Sequence, residues 1–220
     1  MNKAQVFEFF SRLAEANPAP TTELEYSNPF TLLVAVVLSA QATDVSVNLA
    51  TRELFKRVTT PKQMLALGED DLRDQIKSIG LFNTKAKNVI ALSQRLIDEF
   101  GGQVPASVEI LETLPGVGRK TASVVVNMAF GIPRIAVDTH IFRVASRLPL
   151  VVAKTPLDTQ EALERIVPDE FRLHAHHWLI LHGRYICKAR LPECWRCPVV
   201  DLCRYPDKSP APIDGKRPSG

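Results

Sequence analysis

The chain has 220 residues, 45% of them apolar and 23% charged, with a formal net charge of +3. These values fit a globular protein with a substantial core and exclude wholesale disorder. The longest apolar stretch, Leu32 to Leu38, is far short of the ~20 residues that span a bilayer. The N-terminal segment carries acids and no cleavage pattern, so neither a membrane helix nor a secretory leader is expected.

Helical patterns follow one another along the chain. Val6, Phe7, Phe10 and Leu13 recur at helical spacing, and Asn17-Pro18 ends that segment. Ser27-Asn28-Pro29 opens an apolar helix running to about Ser39. Further helices are predicted over 43–57, 61–67, 69–78 and 84–100, the last ending at Gly101-Gly102. Others follow over 107–113, 119–129, 138–147, 157–166 and 169–183. No strand alternation or tight hairpin turn stands out, so the class is all-α. Residues 206–220 are rich in proline and charge and read as a disordered tail.

The modest net charge hides an uneven distribution. Residues 119–147 sum to +4 and residues 184–204 to +3, on a body that is otherwise acidic. Concentrated positive charge of this kind suits a polyanionic partner.

The first basic window opens on Leu114-Pro115-Gly116-Val117-Gly118-Arg119-Lys120-Thr121. Glycines admit positive φ and close approach, and N–H groups at a helix N-terminus form an anion site. A DNA phosphate fits there, positioned without sequence readout. A plain helix–helix turn fits too. A nucleotide phosphate loop fits poorly, because Arg119 separates glycine from lysine and no strand precedes. Leu114 and Val117 would tuck the turn onto its own helices.

Lys120 lies in the first turn of the following helix, where the helix dipole and Arg119 both disfavour an ammonium. It reads either as a phosphate contact or as an amine nucleophile for Schiff-base chemistry. Asp138, in Val137-Asp138-Thr139-His140, reads as a helix N-cap, and a carboxylate there could also serve as a base or as a partner for a developing cation.

All four cysteines, Cys187, Cys194, Cys197 and Cys203, fall within 17 residues near the C-terminus. Four thiolates so spaced can hold one metal centre. An iron–sulfur cubane and zinc remain equally open on spacing alone, with unliganded thiols behind them. Arg184, Lys188, Arg190, Arg196 and Arg204 decorate the same loop, which makes it a staple with a DNA-facing side. His174, His176, His177 and His182 lack ligand-spaced acids or cysteines and read as core histidines.

Taken together, LPGVGRKTA, VDTHIFR, HHWLILHGRYIC, the cysteine loop, SAQATD at 39–44 and IGLFNTKA at 79–86 resemble the endonuclease III family. These are helix–hairpin–helix DNA glycosylases with abasic-site lyase activity. The resemblance runs from the N-terminus to about residue 205. It implies a six-helix bundle at 22–132 that includes the hairpin, and a second lobe of 1–21 with 133–205 holding a 4Fe–4S cluster on the four cysteines. It places the active site in the cleft between the lobes, with Lys120 as the nucleophile and Asp138 assisting deprotonation.

The implied substrate is double-stranded DNA carrying an oxidised or ring-saturated pyrimidine or an abasic site, the damaged base being flipped out of the stack. Gln41 and Leu81 match residues that fill the gap and wedge the strands, an amide and an apolar side chain suited to those tasks. The expected DNA contacts further include Gly116, Gly118, Arg119, Thr121, His140, Arg143, Arg184, Lys188 and Arg190, with Leu114 and Val117. A monomeric, cytoplasmic, nucleoid-associated protein is implied. One departure is notable: Leu191 and Glu193 dilute a cysteine loop that is usually strongly basic in this family. An adenine-mismatch glycosylase of the same superfamily fits less well, because that group lacks the hairpin lysine and carries an extra C-terminal domain. A non-catalytic DNA-binding module would have no need of both Lys120 and Asp138.

Overall fold

The computed structural model describes residues 1–212, and the distal part of the expected tail, 213–220, lies outside the described residues. Among the described residues the structure is helical and contains no strand. In chain order the helices are α1 (Lys3–Ala16), α2 (Pro29–Leu38), α3 (Asp44–Thr51), α4 (Leu54–Arg57), α5 (Pro61–Leu67) and α6 (Glu69–Gln75). They continue with α7 (Phe82–Phe100), α8 (Val108–Leu111), α9 (Arg119–Phe130), α10 (Thr139–Arg147), α11 (Pro156–Ile166) and α12 (Arg172–Tyr185). The chain divides into two compact units, Thr22–Ile132 on one hand and Met1–Thr21 with the segment from Pro133 onward on the other.

In the central unit, α2 is buried along its whole length from Phe30 to Leu38. A helix apolar on every side belongs in an interior, and α2 packs against α3, α7 and α9. Its start is fixed by Asn28, whose side chain accepts the Thr31 N–H at 2.9 Å, with Pro29 in the first turn. The longest helix, α7, buries Ala86, Val89, Leu92 and Leu96 on one stripe and packs on α5 and α6. It stops at Gly101, where φ is +60°.

The other unit is built on α12, which packs against α10 and α1. Phe10, Phe171 and Trp178 form an aromatic cluster with centroids 6.0 to 6.5 Å apart. The Trp178 indole N–H donates to the Asn17 carbonyl at 2.8 Å, which fastens the end of α1. His176 and His177 are buried on α12, while His174 is half-buried with its ring 5.6 Å from that of Trp178. Burial, with a smaller contribution from His174, pushes His177 down to about 4.

The single helix expected over 43–57 is two helices, α3 and α4, broken at Arg52-Glu53. The Thr51 hydroxyl bonds back to the Val47 carbonyl at 2.9 Å, a contact that bends helices. Leu54 then turns fully into the core. The segment expected as 169–183 begins with a 3₁₀ turn, Asp169–Phe171, before α12 proper.

Candidate DNA-binding hairpin, acid site and cysteine centre

The hairpin belongs to the central unit. Ser107 caps α8, and tight turns link Leu114 N–H to Leu111 and Val117 N–H to Leu114, at 3.0 and 3.1 Å. Leu114 and Val117 are both buried and anchor the turn from below. Gly116 has φ +76°, and a Cβ there would lie 2.8 Å from Asn88 Nδ2 and 2.9 Å from Asn88 Cβ. Glycine is thus required twice at this position, by conformation and by space. Gly118 is the N-cap of α9; no side chain caps this helix and no acid lies in its first turn. That leaves the positive end of α9 at the mouth of the hairpin. Lys120 and Arg119 are exposed there and Thr121 is partly buried. Arg119 pairs with Glu112 across the hairpin at 3.2 Å.

Gln41 and Leu81 lie in the same unit. Both adopt left-handed backbone, φ 55° and 60°, and both are exposed, Leu81 by 58%. Left-handed backbone costs an ordinary residue ~1–2 kcal/mol, and such strain concentrates at working positions. One turn into α7, Lys85 is buried, and its Nζ has no hydrogen-bond partner. Burial pushes its pKa below the usual lysine value.

In the other unit, Asp138 is the N-cap of α10, its Oδ1 accepting the Ile141 N–H at 2.8 Å. Arg143, expected as a DNA contact, has its guanidinium turned inward. It donates to the Cys187 carbonyl at 2.8 Å and the Gly183 carbonyl at 2.7 Å, and its Nη2 lies 3.2 Å from His140 Nδ1. Arg143 therefore ties α10 to the end of α12. Gly183 sits at the crossing: a Cβ on it would lie 2.8 Å from the Cβ of His140 and 3.0 Å from its carbonyl oxygen.

The four cysteines are half-buried, none is in a disulfide, and all four line one cavity together with Arg147, Leu148, His182 and Ile186. Among the described residues, no three His, Cys, Asp or Glu side chains are gathered tightly enough to hold a single metal ion. Burial pushes the Cys197 thiol up to about 11 and raises that of Cys203 as well. Four cysteines around one cavity supply a donor set suited to a metal group.

N–H donors already face the sulfurs. Arg147 Nη1 lies 3.6 Å from Cys187 Sγ, and the Tyr205 N–H lies 3.4 Å from Cys203 Sγ. Arg147 also donates to the Lys188 carbonyl at 2.6 Å and stacks over the Tyr205 ring at 4.3 Å. It is the main organiser of the loop. Nothing in the local sequence marks Arg147, Gly183 or Asn88, because each acts through a neighbour distant along the chain.

Comparison with known families places the chain in a class of base excision DNA repair proteins. A family model described as "HhH-GPD superfamily base excision DNA repair protein" matches residues 34–169. Endonuclease III of Escherichia coli K12 is 54% identical over 208 residues, covering 94% of this chain and 99% of that protein. Endonuclease III of Rickettsia conorii is 57% identical over 201 residues, covering 91% and 94%. Among solved structures, a non-covalent endonuclease III–DNA complex matches with a TM-score of 0.87 at 45% identity, covering 93% of this chain and 96% of that one. A trapped endonuclease III–DNA covalent intermediate matches with a TM-score of 0.86, also at 45% identity, covering 93% and 97%. The chain belongs to the endonuclease III family.

Proposed function

We propose that this protein is a bifunctional DNA glycosylase and abasic-site lyase. It removes oxidised or ring-saturated pyrimidines from double-stranded DNA and cuts the strand 3′ to the abasic site. The observation that carries the reading is Lys120 in the first turn of an uncapped α9, directly after the Gly116–Gly118 turn. The chain shares 45% identity with a protein trapped as a covalent DNA intermediate.

The hairpin N–H groups hold a backbone phosphate. Gln41 fills the gap left by the extruded base, and Leu81 wedges between strands. The Lys120 amine attacks C1′; the N–C1′ bond forms as the glycosidic bond breaks, and the base leaves with that electron pair. Ring opening gives the Schiff base. A proton then leaves C2′, the 3′ phosphate departs with the C3′–O electrons, and water releases the lysine. Asp138 accepts protons and stabilises positive charge on the sugar. Cys187, Cys194, Cys197 and Cys203 would hold a 4Fe–4S cluster, whose contribution is to fix the loop between them. Arg119 at the hairpin and Arg184 and Arg190 in the loop supply phosphate contacts. We read the protein as a cytoplasmic monomer acting at the nucleoid.

Borohydride trapping on a duplex with an abasic site tests this. The parent protein gives a covalent adduct and Lys120→Gln gives none. An adduct that persists in Lys120→Gln removes the proposed nucleophile, and no adduct in the parent removes the lyase.

A further inference from the structure

The departure noted in the cysteine loop has a defined geometry. Glu193 is partly buried, its side chain 20% exposed, and both carboxylate oxygens are engaged. Oε1 accepts from Lys188 Nζ and Oε2 from Arg196 Nε. The backbone closes around this pair of contacts. Glu193 N–H donates to the Ile186 carbonyl at 2.8 Å, and Arg196 Nη2 donates to the Tyr185 carbonyl at 3.0 Å, so the arginine is held at the end of α12. Between the paired cations lies the tip of the loop, with Arg190 exposed and Leu191 exposed in left-handed backbone, φ 47°.

An oxyanion held by two cations is the arrangement a DNA phosphate would need. We infer that Glu193 is an internal competitor for phosphate. It keeps Lys188 and Arg196 in ion pairs that the duplex must break, so these two cations contribute little to binding undamaged DNA. The inference rests on the reading of the chain as a DNA-binding repair enzyme and specifies which loop cations are withheld. The effect of Glu193 is on search: a repair enzyme that grips every phosphate with all its cations moves slowly between sites.

The test is the salt dependence of binding to an undamaged duplex, followed by fluorescence anisotropy, with iron content and visible absorption recorded for each variant. Glu193→Gln removes the charge and keeps the shape. Each freed cation steepens the log–log salt slope by ~0.9, so two give up to ~1.8. Between 50 and 200 mM salt that adds a further loss of affinity of roughly 10-fold. The double variant Lys188→Gln/Arg196→Gln, made with Glu193 in place, keeps the parent slope, because both cations are already held on the Glu193 carboxylate and away from phosphate. Adding Glu193→Gln to the double variant leaves the slope at the parent value.

An unchanged slope in Glu193→Gln with iron retained overturns the inference. If Glu193→Gln loses its iron, the double variant decides: a slope shallower than the parent's by about one or two shows that the cations already engage DNA and overturns the inference equally. A parent that binds no duplex and gives no borohydride adduct overturns the functional reading itself. A parent that binds and traps while the slopes fail overturns only the role of Glu193.

Discussion

Gly183→Ala is a small change with a directed consequence. The added Cβ would lie 2.8 Å from the His140 Cβ, 3.0 Å from its carbonyl oxygen and 3.2 Å from its carbonyl carbon. Two of these atoms are backbone, so no rotamer relieves the contact. Reaching an ordinary separation near 3.4 Å moves the start of α10 away from α12 by about 0.6 Å. Stability responds little: overpacking costs ~1–3 kcal/mol, and alanine returns up to ~1 kcal/mol of helix propensity. The net loss of about 0–2 kcal/mol lowers Tm by a few degrees. Activity responds more, because His140 is two residues from Asp138, whose cap to Ile141 sets the carboxylate. A misplacement of 1 Å costs up to ~10²-fold in rate, so about half that distance costs roughly 10-fold. The assay is single-turnover base release and strand nicking with enzyme in excess, beside duplex affinity and Tm. The expected result is a rate down about 10-fold with affinity little changed. A rate within about twofold of the parent's refutes the reasoning, because the strain would then be absorbed away from α10.

Three further perturbations follow from buried or strained groups. The folded-state pKa of His177 is depressed from 6.5 to about 4, so its contribution to stability is present above pH 6.5 and is lost as pH falls through 4. From pH 7 to pH 5 this removes roughly 2 kcal/mol; urea unfolding at the two pH values should show that loss in the parent and a smaller one in His177→Gln, and equal losses would contradict it. Lys85→Met removes a buried ammonium without a partner and is expected to raise the urea midpoint at pH 7 by the equivalent of about 1–3 kcal/mol. Its folded-state pKa is lowered by burial from 10.5, so the advantage shrinks as pH rises towards 10.5; a lowered midpoint would mean that the amine is satisfied. Leu81→Gly relieves left-handed backbone at the cost of greater unfolded-state entropy, so Tm stays within a few degrees while lesion removal falls at least ~10-fold. Unchanged removal would leave Leu81 as an ordinary turn residue.

The parts legible in the sequence are those written in local chemistry. Asn28-Pro29 announces the start of α2, Gly101-Gly102 the end of α7, and Asp138 the cap of α10, because each satisfies backbone groups within one turn of itself. The break at Arg52-Glu53 was not legible. It depends on a hydroxyl bonding back to Val47 and on Leu54 finding a core assembled from α2 and its neighbours. The same division runs through the site. Lys120 and the four cysteines stand out by residue type and spacing. Arg147 looks like any surface arginine, and its role appears only when α10 lies against the loop 40 residues further on. Arg143 shows the converse: a basic residue in a basic window reads as a phosphate contact, and local sequence gives no sign that its Nε and Nη2 also donate to the Cys187 and Gly183 carbonyls.

Among the described residues, the non-glycine positions with left-handed backbone are Gln41, Leu81 and Leu191. Their side chains are exposed, so no core packing offsets the strain. A fold under selection for stability alone would place glycine or asparagine at such turns. In the proposed roles of gap filler and wedge, a preset backbone would let the Gln41 and Leu81 side chains enter the duplex without a further ordering cost. Leu191 has the same signature at the tip of a loop whose neighbouring cations are held by Glu193. On the proposed reading the loop would present a positioned apolar residue and Arg190 to DNA, while Lys188 and Arg196 stay paired. Contact through such a surface depends more on groove shape than on phosphate charge. An enzyme that must tell a deformable damaged site from its undamaged surroundings gains from that balance, because uniform attraction to phosphate strengthens both complexes equally.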